Sequence, residues 1–501
     1  MTTPAGTDAA ATAGDDLCAT LNGEAGRELV RDALQAYLAT RRWFGAKESR
    51  IEGVDLTCAA AMQRGRAALC VADVALAGGV QRYFLPLTAG RDAEGADIIG
   101  HLPDGAALCD GGTDMALAGD ILHAMRDGAL LEGDGGAVRF EGAGIPPDTE
   151  TPRPLAAEQS NVSIAFGRDV ILKIYRRLRA GPQPDVEISR HLTCAAGFAH
   201  APAWLGSATL TGAGQEPTTL AAAFAFVANR GDAWSHFARR LDAAIAGDAG
   251  PADMADDAAL CRLLGVRTGG LHQALAKTTD DPAFAPVAVT QDDLKSWVAE
   301  AAADVEETWR MIAQAAAGSG ALADLAGDLV AARPALDAKI ARVARLAPSG
   351  WRTRIHGDYH LGQVLVTEGG DLAIIDFEGE PRRDLAARRA KMAPLRDVAG
   401  MLRSLDYAAR AAVLRADDPK AAAPVADAWH AAAAQGFLAG YRSEMARSDA
   451  DPDAPLAAAL LDLFLVQKAA YEVAYELSNR PDWAVVPMAG LLNLANAGGT
   501  S

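Results

Sequence analysis

Residues 355–366, reading IHGDYHLGQVLV, and residues 372–378, reading LAIIDFE, gather three oxygen-bearing side chains around two short apolar runs. Asp358 can orient or deprotonate a hydroxyl nucleophile. Gln363, five residues on, offers an amide oxygen, and Asp376 offers an anionic oxygen to a magnesium ion beside phosphates. These parts suit phosphoryl transfer, in which a metal neutralises the polyphosphate and a carboxylate positions the acceptor hydroxyl without a covalent enzyme intermediate. The chain has neither GxxxxGKS/T nor a strand-linked GxGxxG with a matching downstream acid, which disfavours a P-loop ATPase and a Rossmann dehydrogenase.

The elements that must position these groups can be read from periodicity. Residues 363–367 and 372–375 predict two short strands flanking the turn at Glu368, Gly369 and Gly370. Earlier, 161–166 and 170–175 predict a hairpin turned by Gly167, Arg168 and Asp169, which places Lys173 on a strand. After the break at 181–184, a helix beginning near Asp185 carries Glu187, so a strand lysine can face a helix carboxylate. In the first part of the chain, 29–44 predict an amphipathic helix, and 68–75 with 81–88 predict a hairpin about Gly78 and Gly79. Residues 219–227 predict a further strand, 234–245 and 258–276 helices, and helical patterns return after Asp384.

Composition bounds the class. The chain has 501 residues, 65 acidic against 47 basic, and a formal charge of -18, which disfavours nonspecific nucleic-acid binding. No uninterrupted apolar run of 18 residues occurs, so no membrane segment is expected. The opening stretch lacks a secretory pattern, and the expected compartment is the cytoplasm. Six scattered cysteines without a CxxC pair argue for reduced thiols over a disulfide scaffold or a structural zinc site.

The HGDYHLGQ and IIDFEGEP segments resemble the catalytic region of the maltokinase family, whose kinase domain is similar to aminoglycoside and choline phosphotransferases and to protein kinases. The resemblance extends to RRWFGAK at 41–47, EQSNVS at 158–163, LKIYRR at 172–177 and SNRPDW at 478–483. It implies an α+β, two-lobed protein-kinase-like phosphotransferase with an N-terminal β-rich cap. The expected division is a flexible leader at 1–20, a cap at 21–135, a β-rich nucleotide-binding half-lobe at 136–230 and a mostly helical kinase lobe at 231–501. The implied cofactors are ATP and Mg2+. Asp358 is then the base, Gln363 and Asp376 the magnesium ligands, and His356 and His360 supports of the loop. By the same resemblance Lys173 contacts the α/β phosphates with Glu187 as its ion-pair partner, and Ser160, Asn161 and Ser163 belong to the phosphate-covering loop.

The implied reaction is phosphorylation of maltose at its anomeric hydroxyl to maltose 1-phosphate, feeding α-glucan synthesis. Lys468, Glu472 and Glu476 recur every four residues on one helix with Tyr471 and Tyr475 nearby, and by resemblance that helix builds the sugar pocket. A row of lobe-stabilising salt bridges is the competing reading. Arg396 and Asp397 are weaker carbohydrate-side candidates, and Trp43 and Lys47 belong to the cap without a catalytic role. Glucosamine is the alternative acceptor, its ammonium attracted by Glu472 or Glu476; a catalytically silent carbohydrate-binding regulatory protein is the alternative of another class. A homodimer is compatible with the sequence, but the chemistry requires no second protein.

Overall fold

A computed structural model describes residues 16–47, 49–90, 97–147, 149, 151–155, 161–212, 214, 216–446 and 455–496. They fall into two compact units: the chain up to Glu187 with Ala203–Phe226, and Ile188–Pro202 with the chain from Val227 onward.

In the first unit, strands Ile51–Met62, Ala67–Leu76 and Gly79–Gly90 form an antiparallel meander extended by Ala107–Asp110 and Ile98–His101. The hairpin expected at 68–75 and 81–88 is therefore present, and a 12-residue strand precedes it. The helix expected over 29–44 begins earlier and stops earlier: Glu24–Leu29, a π-helical turn at Val30–Leu34, then Gln35–Thr40. Its Leu34, Tyr37 and Leu38 bury against Cys70, Ala72 and Leu85 of the sheet, so packing fixes the register, and RRWFGAK leaves the helix as a turn. The end of the expected leader is ordered, because Leu17–Asn22 is a helix that buries Leu17 and Leu21 and is capped by Asp16.

A second, seven-stranded antiparallel sheet runs in the order Leu130–Gly133, Gly136–Gly142, Trp204–Thr211, Thr218–Ala225, Val170–Tyr175, Asn161–Phe166, Pro152–Pro154. Ile164, Phe166, Leu172 and Ile174 point to one face, where helix Met115–Asp127 covers them with Leu117, Ile121, Leu122 and Met125. The period of two sends Ser163 and Lys173, which are directly paired across the hairpin, to the opposite face. The turn between the strands uses Gly167 at φ 54°.

The second unit is mostly helical. Helices Pro251–Leu275 and Pro419–Met445 cross closely, because a Cβ at Gly265 would collide with the Phe437 carbonyl and one at Gly440 with the Arg262 carbonyl. Strands Val364–Thr367 and Leu372–Ile374 add to Asn229–Asp232 in a three-stranded sheet. Tyr359, Leu361, Val364, Val366, Ile374 and Phe377 are all buried in the helical core, which anchors the loop carrying Asp358 from both sides. Among the described residues no helix is long and apolar enough to cross a membrane.

Candidate active site

Lys173 is 9% exposed on its strand, and a lysine this buried needs an anionic partner. Its Nζ donates to Asp185 Oδ2 at 3.2 Å, and the Tyr175 hydroxyl donates to the same oxygen at 3.1 Å. Asp185, in the first turn of Pro184–Arg190, is a carboxylate that sequence spacing passed over in favour of Glu187, which lies half-buried on the same helix. Asn161 and Ser163 are buried on the neighbouring strand, whereas Ser160 lies outside the described residues.

In the second unit the loop around Asp358 is held by a residue expected to face sugar. Asp397 is 2% exposed in the first turn of Leu395–Arg415; it accepts from the His356 backbone N–H at 2.8 Å, the Gly357 N–H at 2.9 Å and His272 Nε2 at 3.2 Å. Burial alone would raise its pKa, yet His272, His356 and the Gly357 N–H hold the carboxyl below the ordinary range. Asp397 thus braces the loop, both of its oxygens accepting from backbone N–H groups there. His356 Nε2 donates to the Ile375 carbonyl at 2.9 Å, leaving Nδ1 to face the Asp358 N–H at 3.4 Å. His360 Nδ1 accepts from the Gly362 N–H at 3.1 Å, and burial keeps its ring neutral by lowering its pKa. Both histidines bond loop backbone.

Asp358 itself meets Lys468, whose Nζ donates to Oδ1 at 3.3 Å. Gln363 Nε2 donates to Asp376 Oδ2 at 3.1 Å, leaving its amide oxygen for another ligand. Asp376 stands at φ 64°, a left-handed conformation that costs a non-glycine residue roughly 1–3 kcal/mol and is retained where a side chain must be aimed. Asp376 and Glu378 each present a carboxylate oxygen within 4.8 Å of the other. Two carboxylates and an amide oxygen are hard donors that fit magnesium; Glu378 was not singled out by the sequence.

The pocket beside Asp358 is lined by Asp304, Arg383, Arg396, Gln467, Lys468 and Tyr471 among others. Arg383 and Arg396 share Glu300, at 2.5 and 3.2 Å; burial would raise the Glu300 pKa, but the two guanidiniums hold it low. Arg396, Lys468 and Tyr471 therefore lie where sugar contacts were expected. The other helix residues divide. Glu472 accepts both Nε and Nη2 of Arg403, at 3.1 and 2.7 Å. Glu476 is 2% exposed and accepts from the Tyr407 hydroxyl at 2.8 Å and from Arg480 at 3.0 and 2.5 Å. Both carboxylates are taken up in ion pairs, with the buried Arg403 and the exposed Arg480, the arrangement that the salt-bridge reading of this helix describes. Tyr475 is 38% exposed, with Arg480 and Arg382 over its ring at 5.9 and 5.8 Å.

The model of the phosphotransferase enzyme family matches residues 151–380, and that of the maltokinase N-terminal cap domain matches 37–114. A glucosamine kinase of Streptacidiphilus jiangxiensis is 31% identical over 354 residues, covering 68% of this chain and 73% of the relative. The chain belongs to the maltokinase family, with an aminoglycoside-phosphotransferase-like kinase domain. A glucosamine kinase of Mycolicibacterium smegmatis is 30% identical over 350 residues, covering 69% of this chain and 80% of that protein. A solved glucosamine kinase in complex with glucosamine, ADP and inorganic phosphate shares the fold with a TM-score of 0.69 and 24% identity, over 93% of this chain and 98% of that one. The matched 151–380 segment of this kinase contains Lys173, Asp185, Asp358, Gln363 and Asp376; Asp397, which holds the loop, and Lys468 lie beyond it.

Proposed function

We propose that the chain is an ATP-dependent sugar kinase that phosphorylates maltose at its anomeric hydroxyl, giving maltose 1-phosphate and ADP. Asp358 takes or orients the hydroxyl proton, and Lys468 holds Asp358 in place. Lys173, fixed by Asp185, meets the phosphates of ATP. Magnesium held by Gln363, Asp376 and Glu378 would supply neutralisation of the phosphate charge. The pocket beside Asp358 is about 50 Å³ as it stands, roughly the space of one or two waters, so acceptor entry moves the side chains at its rim.

The observation that carries maltose over an amino sugar is the commitment of Glu472 and Glu476 to Arg403, Arg480 and Tyr407. Neither carboxylate is left for an ammonium, and Asp358 and Glu380 in the pocket are themselves paired with Lys468 and Arg383. The maltokinase cap match supports the same acceptor. Parallel kinetics with maltose, glucosamine and glucose, with the phosphorylated position identified, test the assignment; preference for glucosamine at a non-anomeric oxygen overturns it.

The glucosamine reading is favoured by the curated relatives. On this chain the ammonium would meet Asp304, a pocket carboxylate whose partner among the described residues is Gln467 Nε2 at 2.6 Å.

A further inference from the structure

The RRWFGAK turn has no place in the chemistry above, yet it forms one wall of a cavity of about 440 Å³ inside the first unit. That volume lies within the range of small-molecule sites. Three arginines line it, Arg41, Arg42 and Arg176, against two aspartates, Asp97 and Asp110. Each aspartate is already engaged. Asp110 accepts from Arg176 Nη2 at 2.8 Å, the Tyr37 hydroxyl at 2.9 Å and the Gly112 N–H at 2.8 Å. Asp97 takes Arg41 at 3.6 Å and the Thr113 hydroxyl at 3.3 Å. Arg42 makes no ion pair among the described residues, so one positive charge is uncompensated.

Arg176 adds a second, independent observation. It is 2% exposed, its guanidinium lies 4.9 Å over the Trp43 ring, and among the described residues its Nε and Nη1 have no hydrogen-bond partner. Leaving buried donors of a cation unsatisfied costs more than leaving neutral ones, so such nitrogens call for an acceptor that the protein itself does not supply. Thr40, Thr113 and Asp97 at the wall offer partners for hydroxyl groups. We propose that the cavity binds a phosphorylated sugar, its phosphate at the arginines and its hydroxyls toward Thr40, Thr113 and Asp97.

Asn161, Val162 and Ser163 form another wall. They begin the strand paired with the Lys173 strand, so the ligand would touch the hairpin that carries the ion-paired lysine and change the affinity for nucleotide. The inference does not depend on which sugar accepts phosphate.

The test is calorimetric titration of the full chain with glucose 1-phosphate and with inorganic phosphate, under a saturating non-hydrolysable ATP analogue and magnesium, which fills the nucleotide site. Glucose 1-phosphate should bind more tightly than inorganic phosphate. Arg42→Ala should weaken it by about tenfold to a hundredfold, as loss of a charge-assisted hydrogen bond does, with an unchanged melting temperature. Asp358→Asn should leave this binding intact, which separates it from occupancy of the acceptor pocket. No binding at millimolar ligand, binding indifferent to Arg42→Ala, or binding abolished by Asp358→Asn overturns the proposal.

Discussion

Lys468 Nζ lies 3.3 Å from Asp358 Oδ1, joining two residues 110 positions apart. Burial would lower the lysine pKa, but Asp358, Glu472 and Glu380 outweigh it and hold the ammonium above its ordinary value. The cation is therefore fixed at neutral pH, and its hydrogen bond orients the Asp358 carboxylate.

Removing that cation should slow turnover without emptying the nucleotide site. Lys468→Ala is expected to lower kcat by about a hundredfold. Lys468→Arg should restore part of that loss, because it returns a cation beside Asp358. An unchanged kcat in Lys468→Ala would show that the cation has no part in turnover.

Asp358→Asn should cost about a hundredfold to ten-thousandfold in kcat, the range of a general base, with the melting temperature retained. Rapid-quench assays with maltose and ATP measure this, and an unchanged rate would remove Asp358 from the mechanism.

Asp376→Asn and Glu378→Gln should raise the magnesium concentration needed for half-maximal activity, while leaving sugar binding by calorimetry unaltered. Chelation by EDTA should abolish turnover. Equal magnesium dependence in wild type and both variants would reject these ligands.

Asp397 links loop geometry to acid stability. Its carboxyl titrates lower in the folded chain than in the unfolded one, so its contribution is complete above the ordinary carboxylate pKa and is lost as pH falls through the lower folded value. Asp397→Ala should lower stability at pH 7 by about 3–5 kcal/mol, the scale of breaking a buried charge pair, and flatten the acid limb of the stability curve. Urea melts across pH check both.

Glu472→Ala should lower stability by about 1–3 kcal/mol, since Arg403 loses two hydrogen bonds but keeps Asp406, while the KM for sugar stays within about twofold after Glu472→Gln. A large KM effect in a stable Glu472→Gln variant would return this residue to the sugar pocket.

Features that live within a few consecutive residues were legible before any coordinates. The 161–166 and 170–175 hairpin and the 363–367 and 372–375 strands are written in local periodicity, because strand alternation and turn chemistry act over a handful of residues, while the candidate set Lys173, Asp358, Gln363 and Asp376 was drawn from the resemblance of contiguous motifs. Tertiary structure decided which charges are spent. Asp397 reaches back 41 residues to the His356 N–H, and Glu472 reaches 69 residues to Arg403. The four-residue spacing of Lys468, Glu472 and Glu476 placed all three along one helix, but it could not say that Lys468 would meet Asp358 while both glutamates turned to arginines. A helical row specifies a face, and only the helices packed against it determine whether each carboxylate on that face is paired or available to a ligand.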